Sequence, residues 1–285
     1  MVEREARVDF GTFYQFVGGR LVKTSDSDEV SLAAADSWLV EDDRVRSIQA
    51  HYERFLAGVA TLDSTANPQN VTHAEIAPFF DAVIDIVPAT GRWFPRVEFH
   101  AGLRSPLFLK LREAPAQLGE ARLWSYPEPD PRSNPAVKGP DLSLGMQLRR
   151  AAQVHGADET VLLDEHGNVI EGALSSLVWW RGEVLCGPDE STAWLPSITR
   201  DEVFSVARQL GLETRLERAV PTDLSGCEIW ILSSLQGIRP VVEWLAESPE
   251  LRPARVTTDS ASLARVEAFA RRLRMLSTKP TLSRD

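Results

Sequence analysis

Four stretches of the sequence carry residues whose types could do chemistry in combination. The first is Ala50-His-Tyr-Glu-Arg54-Phe, and the second is Lys138, at the end of a proline-rich run. The third is Asp164-Glu-His-Gly-Asn-Val-Ile-Glu171-Gly172. The fourth is Leu195-Pro-Ser-Ile-Thr199-Arg200-Asp201-Glu202, followed by Ile231-Leu-Ser-Ser234-Leu-Gln-Gly-Ile-Arg-Pro-Val241. A lysine amine is a nucleophile only when neutral, a state that burial or a nearby cation favours. An arginine offers a planar fork of donors suited to a phosphate. Amides at a helix start are unpaired and sit at the positive end of the helix dipole, so Ile198 and Thr199 are placed to meet an anion. Each residue also has an ordinary reading. Lys138 reads as a surface lysine, Glu171 as a strand-end carboxylate beside a turn glycine, and Arg54 as a helix-surface arginine paired with an acid. Thr199 reads as the cap of its own helix, and Ser233 and Ser234 as locally satisfied turn serines.

These residues need elements to position them. Tyr52, Phe55, Leu56 and Val59 share one face of a helix expected over Ile48–Leu62. A second helix is expected over Ala74–Ile86, with Pro78 tolerable only near its first turn. Arg96–Phe99 and Leu107–Leu111 read as strands joined by a turn around Gly102, and 112–119 reads as a linker. The second half opens with a strand over Ala121–Tyr126. The loop after it, with Pro127, Pro129, Pro131 and Pro135, cannot donate ladder hydrogen bonds and delivers the chain to Lys138 as a stiff surface path. A helix over Leu142–His155 stops at Gly156. Hairpins follow over Thr160–Leu163 with Asn168–Glu171 and over Ser176–Trp180 with Glu183–Cys186. Thr199-Arg-Asp-Glu202 has the pattern of a capping box opening a helix that ends at Gly211. Glu213–Arg218 and Glu228–Leu232 are the last strands expected. Hairpins in series with separate helices predict an α+β architecture.

Composition narrows the function classes. The chain has 285 residues, 43% hydrophobic and 25% charged, as expected for one large or two medium globular domains. The net charge of −10 argues against nonspecific binding to nucleic acid or anionic membrane. In the tail Leu263–Met275, Leu263, Val266, Ala270 and Leu273 recur at helical spacing, so Arg265, Arg271, Arg272 and Arg274 are expected on its solvated face. No run reaches the ~18 apolar residues of a membrane helix. The opening MVEREARVDF has no apolar core, so no secretory signal is expected there. Two cysteines, Cys186 and Cys227, make neither a zinc spacing nor a disulfide framework. No metal site is expected, and a reducing cytoplasm is the expected compartment.

In the order, spacing and number of the four stretches, the chain resembles the class IV aminotransferase family, the fold-type IV enzymes that use pyridoxal 5'-phosphate (PLP). The resemblance is strongest over residues 138–242 and weaker over 36–60. It implies a two-domain α+β fold: a smaller N-terminal α/β domain over 1–115 and a larger C-terminal α+β domain over 116–285 carrying the PLP lysine. It further implies that Lys138 forms the Schiff base and moves the proton at the substrate α-carbon. Glu171 would face the pyridine nitrogen and keep the ring protonated, with Gly172 letting backbone approach the ring plane. Arg54, in a His-x-x-Arg position, would bind the cofactor phosphate. Ile198, Thr199, Ser233 and Ser234 would complete that cup. Arg104, in Gly-Leu-Arg-Ser-Pro-Leu, could meet a substrate carboxylate or be an ordinary surface arginine. His51 reads as helix packing, and Trp38, Trp179, Trp180 and Trp194 are assigned no role.

The chain also departs from the family pattern. Ser31-Leu-Ala-Ala-Ala-Asp36-Ser37-Trp38-Leu39 stands where the family carries a glycine-aspartate-glycine stretch and a Phe-Glu-Thr-like run. Ser176 replaces an asparagine, Ser197 a glycine, and Asp141-Leu142 an Asn-Tyr-type pair. The leading expectation is an aminotransferase acting on a small amino acid and a keto acid. The alternatives are a 4-amino-4-deoxychorismate lyase, which eliminates pyruvate to give 4-aminobenzoate, and a degenerate relative without catalysis. The resemblance implies small amine and keto-acid partners and a homodimer.

Overall fold

The structure, a computed structural model, describes residues 11–25, 31–191 and 193–283. The segment read for a secretory signal lies outside the described residues. The chain divides into two compact units. One holds the described residues up to Pro115 together with those from Thr278 onward, and the other is Ala116–Ser277.

The first unit contains strands β1 (Thr12–Val17), β2 (Arg20–Thr24), β3 (Leu32–Ser37), β4 (Val40–Glu41) and β5 (Arg44–Val45). Helices α1 (Ile48–Ala60) and α2 (His73–Ile86) follow, then β6 (Arg92–Trp93), β7 (Arg96–His100) and β8 (Leu107–Leu111). Five strands form an antiparallel sheet in the order β2-β1-β8-β7-β3. Alternation along each strand sorts its two faces. Val97, Phe99, Leu109 and Leu111 pack with Tyr52, Phe55, Phe79 and Phe80 of the helices. Arg96, Glu98 and His100 therefore project from the other face. Phe80 is fully buried against Trp38, Tyr52, Phe55 and Phe79, so truncating it to alanine would cost about 3–5 kcal/mol.

Three expectations are corrected here. Pro78 sits in the second turn of α2, beyond its first turn. The carbonyl that loses a donor belongs to exposed Ala74, where water can serve it. Arg112 and Glu113 extend the first unit instead of opening a linker: Phe94 donates its amide to the Arg112 carbonyl at 2.8 Å, and Glu113 bridges to Trp93. The residues from Thr278 on were expected with the second domain, but Thr278 exchanges two backbone hydrogen bonds with Val45, at 2.8 and 2.9 Å.

The second unit contains β9 (Ala121–Ser125), α3 (Leu142–Val154), β10 (Glu159–Leu163), β11 (Val169–Gly172), β12 (Ser176–Arg181) and β13 (Val184–Pro188). It continues with α4 (Ile198–Gln209), β14 (Thr214–Glu217), β15 (Glu228–Ser233), β16 (Gly237–Leu245) and α5 (Ser260–Met275). Its eight strands form one mixed sheet in the order β11-β10-β9-β16-β15-β12-β13-β14. Most neighbours are antiparallel, while β9 runs parallel to β10 and β16, and β13 to β14. The α+β expectation holds. On α5, Phe269 joins Val266 and Leu273 in the core while Leu263 is exposed. Arg265 is not merely solvated: it pairs with Glu228 at 2.7 Å and stacks over Trp180.

Candidate active site

Sheet topology gathers most of the candidate residues at one end of the second unit. Ser176 opens β12 opposite Leu232, one residue before Ser233 closes β15. Ser234 begins the turn that leads into β16 at Gly237. The Gly172 amide, at the end of β11, donates to the Ser175 carbonyl at 2.8 Å, which brings Glu171 to the same end. β13 is antiparallel to β12, so its last residues also arrive there and lead into α4.

The loop bearing Lys138 starts at the opposite end of the sheet, after β9. The Asp130 amide ties it to the Leu163 carbonyl at 2.9 Å, and Arg132 donates to Glu171 at 2.6 Å. α3 then packs at the candidate end: a Cβ on Gly145 would lie 2.8 Å from the Ala173 carbonyl oxygen. The loop thus travels past Glu171 and carries half-buried Lys138 along. Asp141 closes its base by accepting from the amides of Ser133 and Asn134, at 3.2 and 2.7 Å. Gly139 follows Lys138 at φ 147°, a conformation that side chains rarely adopt.

Glu171 is buried, and its Oε1 also accepts the Leu195 amide at 2.9 Å. Burial pushes its carboxyl above the usual range, against the pull of Arg132 and that amide. Arg132 is held by a forked pair to Asp130 as well, and these two carboxylates outweigh its burial and raise its pKa. Gly172 has a local reason to be glycine: a Cβ would meet the Ser175 hydroxyl at 2.3 Å and the Glu159 side chain at 3.0 Å.

The start of α4 differs from the expected capping box. Ser197 is the N-cap, and its hydroxyl accepts the Arg200 amide at 3.3 Å. Its φ of −95° is open to any residue, so the replacement of the family glycine costs nothing there. Thr199 lies one residue inside the helix, 1% exposed, and its hydroxyl has no hydrogen-bond partner among the described residues. An orphaned buried hydroxyl beside first-turn amides, which no helix can satisfy internally, fits an anion. A phosphate would meet that requirement. Arg200 is buried and lies flat over Trp194 at 3.4 Å, so Trp194 has a role that was not anticipated.

Arg54 and Arg104 belong to the first unit. Arg54 on α1 is gripped by Asp36 of β3 through two hydrogen bonds, at 2.7 and 2.9 Å. His51 places Nδ1 2.7 Å from the same carboxylate. Asp36 is fully buried; that burial works against ionisation, but Arg54 and His51 more than offset it and hold the carboxyl far below its usual range. The segment that lacks the family motif thus supplies the anchor of Arg54. Arg104 is exposed in the loop between β7 and β8.

Asp36 and Arg132 were not singled out from sequence. Each acts on a residue far along the chain, and only the Asp130-Pro-Arg132 spacing hinted at a local pair. Among the described residues there is no cluster able to hold a metal and no helix long and apolar enough to cross a membrane.

The model of the family described as amino-transferase class IV matches residues 33–244. The chain belongs to the class IV aminotransferase family, whose cofactor is PLP. It is 32% identical over 92 residues to a branched-chain-amino-acid aminotransferase of Escherichia coli strain K12, covering 32% of this chain and 30% of that protein. It is 27% identical over 133 residues to an aminodeoxychorismate lyase of Bacillus subtilis strain 168, covering 46% of this chain and 45% of the lyase. The chain therefore spans less than half the length of these curated relatives. Its fold matches that of the T.th. branched-chain amino acid aminotransferase complexed with N-(5'-phosphopyridoxyl)-L-glutamate, at a TM-score of 0.74 and 20% identity over 94% of this chain and 95% of that one.

Proposed function

We propose that the chain is a PLP-dependent aminotransferase that acts on a small amino acid and a keto acid, with Lys138 as the lysine that carries the cofactor. The observation that carries this reading is the clasp of the Lys138 loop onto buried Glu171 through Arg132. When bound, PLP supplies an electron sink for the carbanion at the substrate α-carbon. Glu171 offers a carboxylate to the ring nitrogen, and its burial makes that charge effective because little water competes for it. Ile198 and Thr199 bind the phosphate through amides and the orphaned hydroxyl, and Ser233 and Ser234 add hydroxyls. Lys138, once free of the cofactor, moves the proton at the α-carbon. Borohydride reduction of the loaded protein, followed by peptide mapping, tests the assignment: the label is expected on Lys138 and nowhere else.

The second reading is an aminodeoxychorismate lyase, favoured by the longer aligned stretch shared with the Bacillus subtilis enzyme. An amino acid given alone separates the two. A transaminase loses the visible band of its lysine-bound cofactor, because the amino group stays behind, whereas a lyase regains it. A homodimer in the cytoplasm is the assembly and compartment that fit this family, and sedimentation equilibrium checks the first.

A further inference from the structure

The segment between β13 and α4 reaches Glu171 with a backbone amide, and side chains hold that segment in place. The Leu195 amide donates to Glu171 Oε1 at 2.9 Å. Trp194, the residue just before it, is fastened twice. Its indole Nε1 donates to the Asp189 carbonyl at 3.0 Å, and the Arg200 guanidinium lies 3.4 Å over its ring. Asp189 is itself tied down: its carboxylate accepts the Ser191 amide at 3.1 Å and lies 3.5 Å from Arg218 Nε. Arg200 stands in the first turn of α4, where the N-cap Ser197 accepts its amide. The helix thus presents a fixed plate against which the indole is pressed.

A peptide group is planar, so the Leu195 N–H points where the plane it shares with Trp194 lets it point. Glu171 cannot correct a misaimed amide, because a hydrogen bond weakens steeply as its angle bends. Connecting segments drift unless side chains fix them. Trp194 is half-buried and Arg200 is buried, so their contact is made largely out of water, where a cation on an indole face is most effective. The Arg200 charge also favours ionised Glu171, together with Arg132 and the Leu195 amide and against burial. Glu171 is therefore served from two directions, by Arg132 from the Lys138 loop and by the Leu195 amide from the approach to α4. Arg132 has its own clamp in the forked pair to Asp130. The stack of Arg200 on Trp194 is the matching clamp for the amide.

We propose that Trp194 and Arg200 are positioning residues for Glu171: their stack aims the Leu195 amide at the carboxylate that serves the ring nitrogen of PLP. What Glu171 serves rests on the function proposed above, while the clamp rests on the geometry of the second unit alone. Neither side chain touches the reacting atoms in this scheme. Without the stack the amide loses its aim, and Glu171 becomes a poorer partner for a protonated ring.

Amide hydrogen exchange at Leu195, followed by NMR in the full-length cofactor-free protein, reads the clamp without turnover. Protection at Leu195 is expected to fall about tenfold in Trp194→Leu and in Arg200→Met, with the amides of β9 unaffected. Titration with PLP, read by the visible cofactor band, should show affinity weakened about fivefold in both, and kcat should fall more than KM rises. Trp194→Phe keeps a ring under Arg200 and should recover most of each effect. Combining Trp194→Leu with Arg200→Met should be little worse than either alone, because the stack is lost only once. Unchanged Leu195 protection in folded Trp194→Leu protein overturns the clamp, as do effects of the two substitutions that simply add. Full recovery by Arg200→Lys overturns it too, since lysine keeps the charge and has no plane to stack. Protection lost with PLP affinity unmoved breaks the link to Glu171. If Trp194→Leu fails to fold, Trp194→Phe and the Arg200 variants carry the same comparison. A protein that never gains the visible band, yet loses Leu195 protection in the variants, would sink the proposed function and leave the clamp standing.

Discussion

Replacing Glu159 with glutamine tests how the floor beneath Glu171 and Gly172 is built. Glu159 is buried at the start of β10, and its side chain touches the space where a Gly172 Cβ would sit. Its carboxyl accepts the Thr160 amide at 3.0 Å and the Ser175 hydroxyl at 3.1 Å. Burial raises its pKa from 4.5 to about 7, with Arg149 only partly opposing it. A rise of that size corresponds to about 3 kcal/mol placed against the ionised form in the folded state. The sign follows from proton binding. The folded protein holds this proton more tightly than the unfolded chain, so the contribution is fully present below pH 4.5 and is lost as pH rises through about 7. Glu159→Gln keeps the shape and has no charge to bury. Its stability should therefore match the wild type near pH 4.5 and exceed it by up to about 3 kcal/mol at pH 8. Urea unfolding followed by tryptophan fluorescence, at several pH values and with unchanged m, reads the difference. A variant less stable than the wild type at pH 8 would refute the reasoning, because Glu159 would then serve as a paired anion of Arg149.

Three other outcomes are expected. Gly172→Ala should lose about 1–3 kcal/mol in the same unfolding experiment, because Ser175 and Glu159 occupy the space of its methyl group. Thr199→Val should leave the cofactor-free protein as stable or more so, since the hydroxyl it removes is buried and unpartnered, while PLP titration shows affinity weakened about tenfold. Asp36→Asn strips the partner from Arg54 and His51 and should cost about 3 kcal/mol near neutral pH. Because the Asp36 carboxyl is held below its usual value of 3.8, the stability it gives is present above that pH and lost below it, so the gap between wild type and variant should narrow on acidification.

Helices α3 and α4, which follow Lys138 and open at the candidate phosphate residues, were legible because their ends carry Gly156 and Gly211, both at positive φ. The hairpins around Gly167 and Gly182 were legible for the same kind of reason. β16 was not: Pro240 interrupts a strand-like run, and only its position opposite Trp230, before the pairing with β9 begins at Val241, makes it tolerable in mid-sheet. β1 and β2 flank Gly18-Gly19, a hairpin signal that a reading centred on chemical residues passes over. Within the site, Glu171 and Thr199 stood out by type and spacing. Asp36 and Arg132 did not, because each is defined by a partner 18 or 39 residues away. The capping of α4 went to Ser197 rather than Thr199, because the hydroxyl that accepts the Arg200 amide belongs to the residue before the first helical turn. Arg112 looked like linker because its strand ends one residue earlier.

The exchange of backbone hydrogen bonds between Val45 and Thr278 has a temporal meaning. Ala116–Ser277 is an excursion inserted into the first unit, and all of its own strands precede Thr278 in synthesis. The inserted unit therefore has all of its parts before the unit that starts earlier in the sequence receives its last strand contact. A released chain truncated just short of Thr278 should display a protease-resistant second unit tethered to a first one that still lacks its seal.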